Sequence, residues 1–256
     1  MTADFPLTAG VVSRLLVLDA TGSTNADLRV RADEVTAWPH LSMIVTREQT
    51  AGRGRLDRTW VAPAGAALAV SVLLRELPTD PSLRGWIPLT AGLAMADAVG
   101  TQLTGADVAV KWPNDVLVDG AKICGILAEA SSDAVIVGAG VNTAMTAAQL
   151  PVATATSFAV NGAVAEEDRL LRDYVATLDR WLRALVAAGD AASCGLHAAV
   201  TARCATLGQT VRVSLPSARV LEGTATGLDA EGRLLVEADG ASHPVSAGDV
   251  VHVRPA

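Results

Sequence analysis

Gln49-Thr50-Ala51-Gly52-Arg53-Gly54-Arg55-Leu56-Asp57-Arg58-Thr59-Trp60 gathers three arginines and two glycines into twelve residues, in a chain where acids outnumber bases 27 to 20. Gly52 and Gly54 permit positive φ and let backbone N–H groups approach an anion. Arg53, Arg55 and Arg58 supply forked donors matched to phosphate or carboxylate. Trp60 adds a flat apolar wall. The stretch reads as a loop that closes over a small anionic ligand, against the competing reading of a solvated basic loop.

The 256 residues suffice for one large domain with a small appendage. A chain of this size buries roughly 70% of its unfolded surface and needs no covalent staple. A formal charge of −7 and a pI near 5.1 argue against general nucleic-acid affinity, which calls for a broad basic face. Local basicity in an acidic protein points instead to a focused anion site. Cys124, Cys194 and Cys204 are an odd set without CxxC spacing, and the four histidines are scattered, so neither a zinc site nor a disulfide framework is expected. The opening Met1-Thr2-Ala3-Asp4-Phe5-Pro6 lacks a basic region followed by an apolar run, so no signal peptide is expected. Neither uncharged stretch, 59–74 with Pro63 and Gly65 or 134–165 with Asn142, Pro151 and Asn161, reads as a membrane span.

Periodicity predicts a strand over 12–19, then the turn cluster Thr21–Asn25 and a helix over 26–35 with Leu28, Ala32 and Val35 facing inward. Strands follow at 42–46 and 66–74, and a helix at 87–99. Further strands at 108–112, 116–118, 122–130 and 134–141 are joined by short turns, which favours a mixed, largely antiparallel sheet over βαβ alternation. The clearest helix is 167–188, whose apolar stripe from Leu170 to Leu185 marks a packing element. After Leu207, short strands at 211–213, 220–228, 234–238 and 250–253 are punctuated by glycines including Gly223, Gly232 and Gly248, as in a small β-barrel. The expected class is α+β, a sheet flanked by helices over residues 1–206 with a small barrel over 207–256.

Lys111-Trp112-Pro113-Asn114-Asp115 is a second polar cluster. Lys111 suits a phosphate, and Asn114 and Asp115 suit a nucleotide or a Mg²⁺ shell. A β-turn whose Asn and Asp satisfy their own backbone is the competing reading. Strand alternation over 122–127 places Lys122, Cys124 and Ile126 on one face. Cys124 reads as core, while Lys122 is either a strand-end charge or the centre of an acyl–phosphate reaction. Gly138-Ala139-Gly140-Val141-Asn142 lets a ligand approach the backbone, but it is not a dinucleotide fingerprint, and no Walker A motif is present.

In order and rough spacing, Ser23-Thr24-Asn25, the Gly-Arg-Gly-Arg loop, Lys111–Asp115, Lys122-x-x-Gly125-Ile126-Leu127-x-Glu129 and Gly138-x-Gly140-x-Asn142 resemble the biotin–protein ligases. Glu222-Gly223-x-Ala225-x-Gly227-x-Asp229-x-x-Gly232 is similar to that family's SH3-like C-terminal domain. The resemblance implies an ATP-dependent ligase that forms biotinyl-5′-adenylate and transfers biotin to a lysine of a biotin carboxyl carrier protein. Lys122, Arg55 and Arg58 would be catalytic. Ser23, Thr24, Asn25, Gln49, Gly52 and Arg53 would bind biotin, together with Trp60, Lys122, Gly125, Gly138 and Gly140. Arg55, Arg58, Lys111, Asn114, Asp115 and Asn142 would bind the adenylate, with Asp115 also a Mg²⁺ ligand.

About twenty residues precede Ser23, too few for the winged helix-turn-helix of the family's repressors, so the resemblance is to the ligase-only type. It further implies a cytoplasmic monomer or weak homodimer that binds neither nucleic acid nor membrane, with a loop over 52–60 that orders on ligand. Leu56-Asp57 replaces the usual basic or glycine residues, and Cys124 a usual small residue. A lipoate–protein ligase and a non-catalytic biotin sensor are the rival readings.

Overall fold

The computed structural model describes residues 4–56, 58–214, 220–246 and 249–252. The chain begins with helix α1 (Pro6–Ala9), strand β1 (Arg14–Leu18), helix α2 (Thr24–Arg31) and strand β2 (Ser42–Thr46). A two-stranded ribbon, β3 (Gly52–Arg53) and β4 (Thr59–Trp60), leads to β5 (Ala67–Leu74). A 3-10 turn at Pro81–Gly85 opens α3 (Trp86–Gly100), followed by β6 (Val108–Lys111), β7 (Asp115–Val118), β8 (Ala121–Ser131) and β9 (Ala134–Asn142). Helices α4 (Glu167–Ala188) and α5 (Leu196–Arg203) then lead to β10 (Thr210–Ser214), β11 (Val220–Leu228), β12 (Leu234–Ala238), β13 (Ala241–Val245) and β14 (Asp249–His252).

Seven strands make the main sheet in the order β1-β2-β5-β9-β8-β7-β6. Only β1 and β2 pair in parallel; every other neighbour is antiparallel, so the sheet is mixed and largely antiparallel as expected. Alternation then sorts the side chains into two sets. Leu68, Val70, Val72 and Leu74 of β5 join Val135, Val137, Ala139 and Val141 of β9 in one core with α3 and α4. The intervening residues face the other way. There Ile44, Leu73 and Ile136 pack under Leu28 of α2 and Trp38, and the rest of that face stays open for a ligand.

Ser23 caps α2 by accepting from the Ala26 N–H at 3.4 Å. Leu28 and Ala32 are buried, but Val35 is 52% exposed, against expectation. The helix ends at Arg31, so the 3.6-residue stripe no longer governs Val35. Helix α4 runs as predicted, with Glu167 and Asp168 in its first turn and Gly189 closing it at φ 64°. Its seven buried side chains, from Leu170 to Leu185, are each worth roughly 1.5–3 kcal/mol on burial. Helices α1 and α5, the β3–β4 ribbon and strand β13 had no sequence prediction. Helix α5 is only eight residues with two buried side chains, and β13 contains Pro244, tolerated because β13 is an edge strand. Gly248 and Val253 lie outside the described residues.

The five C-terminal strands form one antiparallel sheet in the order β13-β12-β11-β10-β14. Two indoles fasten it to the main domain. Trp86 Nε1 donates to Ala230 O at 2.8 Å, and Trp112 Nε1 donates to Gly232 O at 3.1 Å. Both rings are buried in one cluster with Val211, Leu234 and Val236. Among the described residues no helix is long and apolar enough to cross a membrane. At the join, a Cβ on Gly85 would lie 2.5 Å from Glu231 O, a backbone atom that cannot swing aside. Gly85→Ala is therefore expected to cost about 2 kcal/mol and lower Tm by roughly 4–8 °C; an unchanged melting curve would show that the join is loose.

Candidate active site

The open face of the sheet forms the floor of a cavity of about 350 Å³. Gly138 and Gly140 of β9 make it a trough. A Cβ on Gly138 would collide with Asn25 Oδ1, and one on Gly140 would lie 2.6 Å from the Trp60 ring. Trp60 itself is held in place by the β3–β4 ribbon, where it pairs with Gly52. Close backbone approach is what glycine permits and any side chain would block.

At one end, buried amides and hydroxyls are linked in series. Gln49 Oε1 accepts the Thr24 N–H at 2.9 Å and lies 3.1 Å from Thr24 Oγ1. Ser71 Oγ lies 2.7 Å from Thr24 Oγ1 and 2.6 Å from Asn25 Oδ1. Asn25 Nδ2 donates to Glu129 Oε2 at 2.7 Å. Glu129 Oε1 takes an ion pair from Arg29 at 2.6 Å, with Arg53 at 3.6 Å. Burial pushes the Glu129 carboxyl up, but the hydrogen bonds from Arg29 and Asn25, with the charges of Arg29 and Arg53, outweigh it and hold the group below its ordinary value.

The other end is cationic. Arg55, Arg58, Lys111 and Lys122 line the cavity there, while Arg53 lines it nearer Glu129, and Asp115 is the one carboxylate lining it among the described residues. Lys122 Nζ sits 2.6 Å from Asp115 Oδ1. Strand alternation alone put Lys122 on the Cys124 face, and the structure corrects this. From Val116 to Leu117 β7 advances one residue while its partner on β8 moves two, from Cys124 to Lys122. The bulge at Ile123 turns Lys122 onto the Gly125 side, where a Gly125 Cβ would lie 3.1 Å from Nζ. Cys124 stays in the core, its thiol pushed up to about 12 by burial, which suits packing and not nucleophilic attack.

The turn reading of Asn114 and Asp115 gives way as well. Asn114 Nδ2 donates to Ile126 O at 2.7 Å, and its Oδ1 accepts from Arg55 Nη1 at 3.1 Å. Asp115 holds Lys122. Their side chains thus tie β8 and the arginine loop together across the β6–β7 hairpin. Trp112 anchors this hairpin from behind, its N–H donating to Thr206 Oγ1 at 3.0 Å, which also lies 3.3 Å from His252 Nε2.

Of the residues that the resemblance assigned to catalysis or binding, all line this cavity except Gly52 and Asn142. Gly52 is buried just behind, against Trp60 and Gln49. Asn142 Nδ2 donates to Thr156 O at 2.9 Å in the buried layer at the end of β9. Asp57 lies outside the described residues. Sequence reading missed Ala69 and Val70 of β5, hidden in a uniformly apolar run, and Val250 and Val251 of β14. Among the described residues no group of three or more His, Cys, Asp or Glu side chains could hold a metal ion.

Because its pKa is lowered on folding, Glu129 contributes stability that is complete above an unfolded value of about 4.3 and fades as pH falls through the folded value. Thermal melts from pH ~6 to pH ~3 are expected to show a steeper loss for wild type than for Glu129→Gln. Parallel curves would remove Glu129 from the acid response.

Residues 17–142 match the biotin/lipoate A/B protein ligase family, and residues 206–253 match the biotin protein ligase C-terminal domain. The chain is 38% identical to a biotin–[acetyl-CoA-carboxylase] ligase of Mycobacterium tuberculosis over 94% of its own length and 90% of that protein. It is 31% identical to a bifunctional ligase/repressor of Escherichia coli, over 95% of this chain and 74% of that one. Its fold is similar to a biotin protein ligase of Aquifex aeolicus solved in complex with biotin and ATP, with a TM-score of 0.77 at 24% identity, covering 95% of this chain and 100% of that one. A biotin protein ligase of Leishmania major in complex with biotinyl-5-AMP matches with a TM-score of 0.59 at 27% identity, covering 92% and 99%. With both family models matched in order and a ligase relative aligned along nearly its whole length, the chain belongs to the biotin protein ligase family.

Proposed function

We propose that this protein activates biotin with ATP and passes it to a lysine of a biotin carboxyl carrier protein. The observation that carries this reading is the cavity itself: four cations at one end, a glycine trough in the middle, and at the other an amide network with Arg53 beside it. Such a site holds a carboxylate and a polyphosphate together despite their mutual repulsion. The similarity to the mycobacterial biotin–[acetyl-CoA-carboxylase] ligase supports the choice of substrate.

In this reading a biotin carboxylate oxygen attacks the α-phosphorus of ATP, the bond to the β-phosphate oxygen breaks, and pyrophosphate leaves. A carrier lysine amine then attacks the carbonyl of the mixed anhydride, the C–O bond breaks, the amine proton is lost, and AMP leaves. Lys122 bridges the biotin carboxylate and the α-phosphate. Arg55 and Arg58 take phosphate oxygens, with Lys111 and Asn114 beside them. Ser23, Thr24, Asn25 and Gln49 face the ureido ring; Trp60, Gly138 and Gly140 wall the apolar part of biotin.

Magnesium fits this site only as a partner of ATP. Asp115 offers one carboxylate already paired with Lys122, which suits an ion that keeps water and phosphate oxygens as its other ligands. When bound, the ion would neutralise polyphosphate charge. We further assign residues 1–206 to catalysis and 207–256 to a C-terminal SH3-like domain, in a cytoplasmic enzyme.

Biotin-dependent exchange of pyrophosphate into ATP tests the reading. Wild type is expected to exchange with biotin and not with lipoate, and Lys122→Ala to fall by about 100-fold or more. Exchange with lipoate alone would move the substrate, and tight biotin binding without exchange would leave a sensor. Biotin with ATP is also expected to protect the arginines at 53–58 from trypsin; equal cleavage with and without ligand would refute closure of the loop.

A further inference from the structure

Lys122 lies where β8 loses one of its neighbours. In an antiparallel strand each residue turns its N–H and C=O to the same side, and successive residues alternate. Leu117 of β7 flanks Lys122 on one side, but β9 pairs with β8 only from Cys124 onward, where Cys124 meets Val141. Both main-chain groups of Lys122 point to the side that β9 has left. Without partners there they would be an unpaired donor and acceptor beside the bulge at Ile123, the feature that aims the lysine into the cavity.

A short segment from the long loop after β9 fills the gap. The Lys122 N–H donates to Thr154 O at 2.7 Å, and the Thr156 N–H donates to Lys122 O at 2.8 Å, a parallel bridge centred on Ala155. The segment is itself held from behind. Asn161 Nδ2 donates to Thr156 Oγ1 at 2.9 Å and to Ser157 O at 2.7 Å, and Asn142 Nδ2 donates to Thr156 O at 2.9 Å. Thr156 and Ser157 are buried, and Phe158 belongs to the main core. At the far end of the lysine, Asp115 Oδ1 lies 2.6 Å from Nζ. Lys122 is therefore held twice, at its ammonium by a carboxylate and at its backbone by residues 154–156.

We propose that residues 154–156 are a main-chain clamp that positions Lys122 for adenylation, with Asn161 as a positioning residue that locks the clamp. The inference rests on the ligase reading, which makes Lys122 the bridging cation. A transition state stabilised by one ammonium is sensitive to its placement, and an error of about 1 Å can cost 100-fold. Residues 154–161 do not line the cavity, so they act through Lys122 and not on a substrate.

The test is a double-mutant cycle in pyrophosphate exchange, with biotin and ATP varied separately and a melting curve for every variant. Thr156→Pro removes the N–H that Lys122 O accepts, and Asn161→Ala unlocks the clamp without touching Lys122. Thr156→Pro is expected to lower kcat about 30-fold and Asn161→Ala about fivefold, with both KM values within about twofold. In a Lys122→Ala background neither change lowers the remaining exchange further, because the group they position is gone. Asn161→Ala carries the cycle if Thr156→Pro does not fold. A fall in Tm with kcat unmoved, a rise in the KM for ATP alone, or the same fold-loss with and without Lys122 would overturn the proposal. Those outcomes leave the ligase reading standing, whereas a wild type without biotin-dependent exchange sinks that reading and this proposal with it.

Discussion

Helices α3 and α4 cover one face of the seven-stranded sheet, and that packing constrains everything else. Once Val70, Val72, Val137 and Val141 are committed to the helices, strand alternation sends their neighbours to the opposite face. Those neighbours are Ala69, Ser71, Gly138 and Gly140, small enough to leave a trough where a second layer of helices would otherwise pack. Site and core are thus two faces of the same strands. A one-residue slip in β9 would put valines into the cavity and glycines into the core.

The two ends of the trough are positioned by different means. The amide end is fixed from within the main domain, where α2 brings Thr24 and Asn25 onto Ser71 and Glu129. The cationic end depends on the bulge at Ile123 and on the C-terminal sheet. Trp112 donates through its indole to Gly232 and through its backbone to Thr206, which steadies the hairpin carrying Lys111, Asn114 and Asp115. Val250 and Val251 of β14 complete that wall, so the small C-terminal sheet is part of the site. In a chain of net charge −7, gathering Arg55, Arg58, Lys111 and Lys122 there makes a local field opposed to that of the whole molecule.

By itself the sequence determined what depends on short-range pattern. Period-2 and period-3.6 runs located most strands and the helices α2, α3 and α4, and short turns pointed to an antiparallel sheet. The Gly-Arg-Gly-Arg loop and Lys111–Asp115 announced an anion site because their chemistry is concentrated in a few residues. Tertiary structure decided what no local pattern encodes. The bulge that turns Lys122 away from Cys124 exists only in the pairing of β7 with β8. Pro244 fits a strand because β13 happens to be an edge, and Val35 is exposed because α2 stops short of it. Asn142 closes onto Thr156 at the end of its strand, while Val250 enters the cavity from a distant part of the chain. Such placements follow from register and from docking of distant segments, whose free energies are summed over the whole fold and leave no signature in any one stretch.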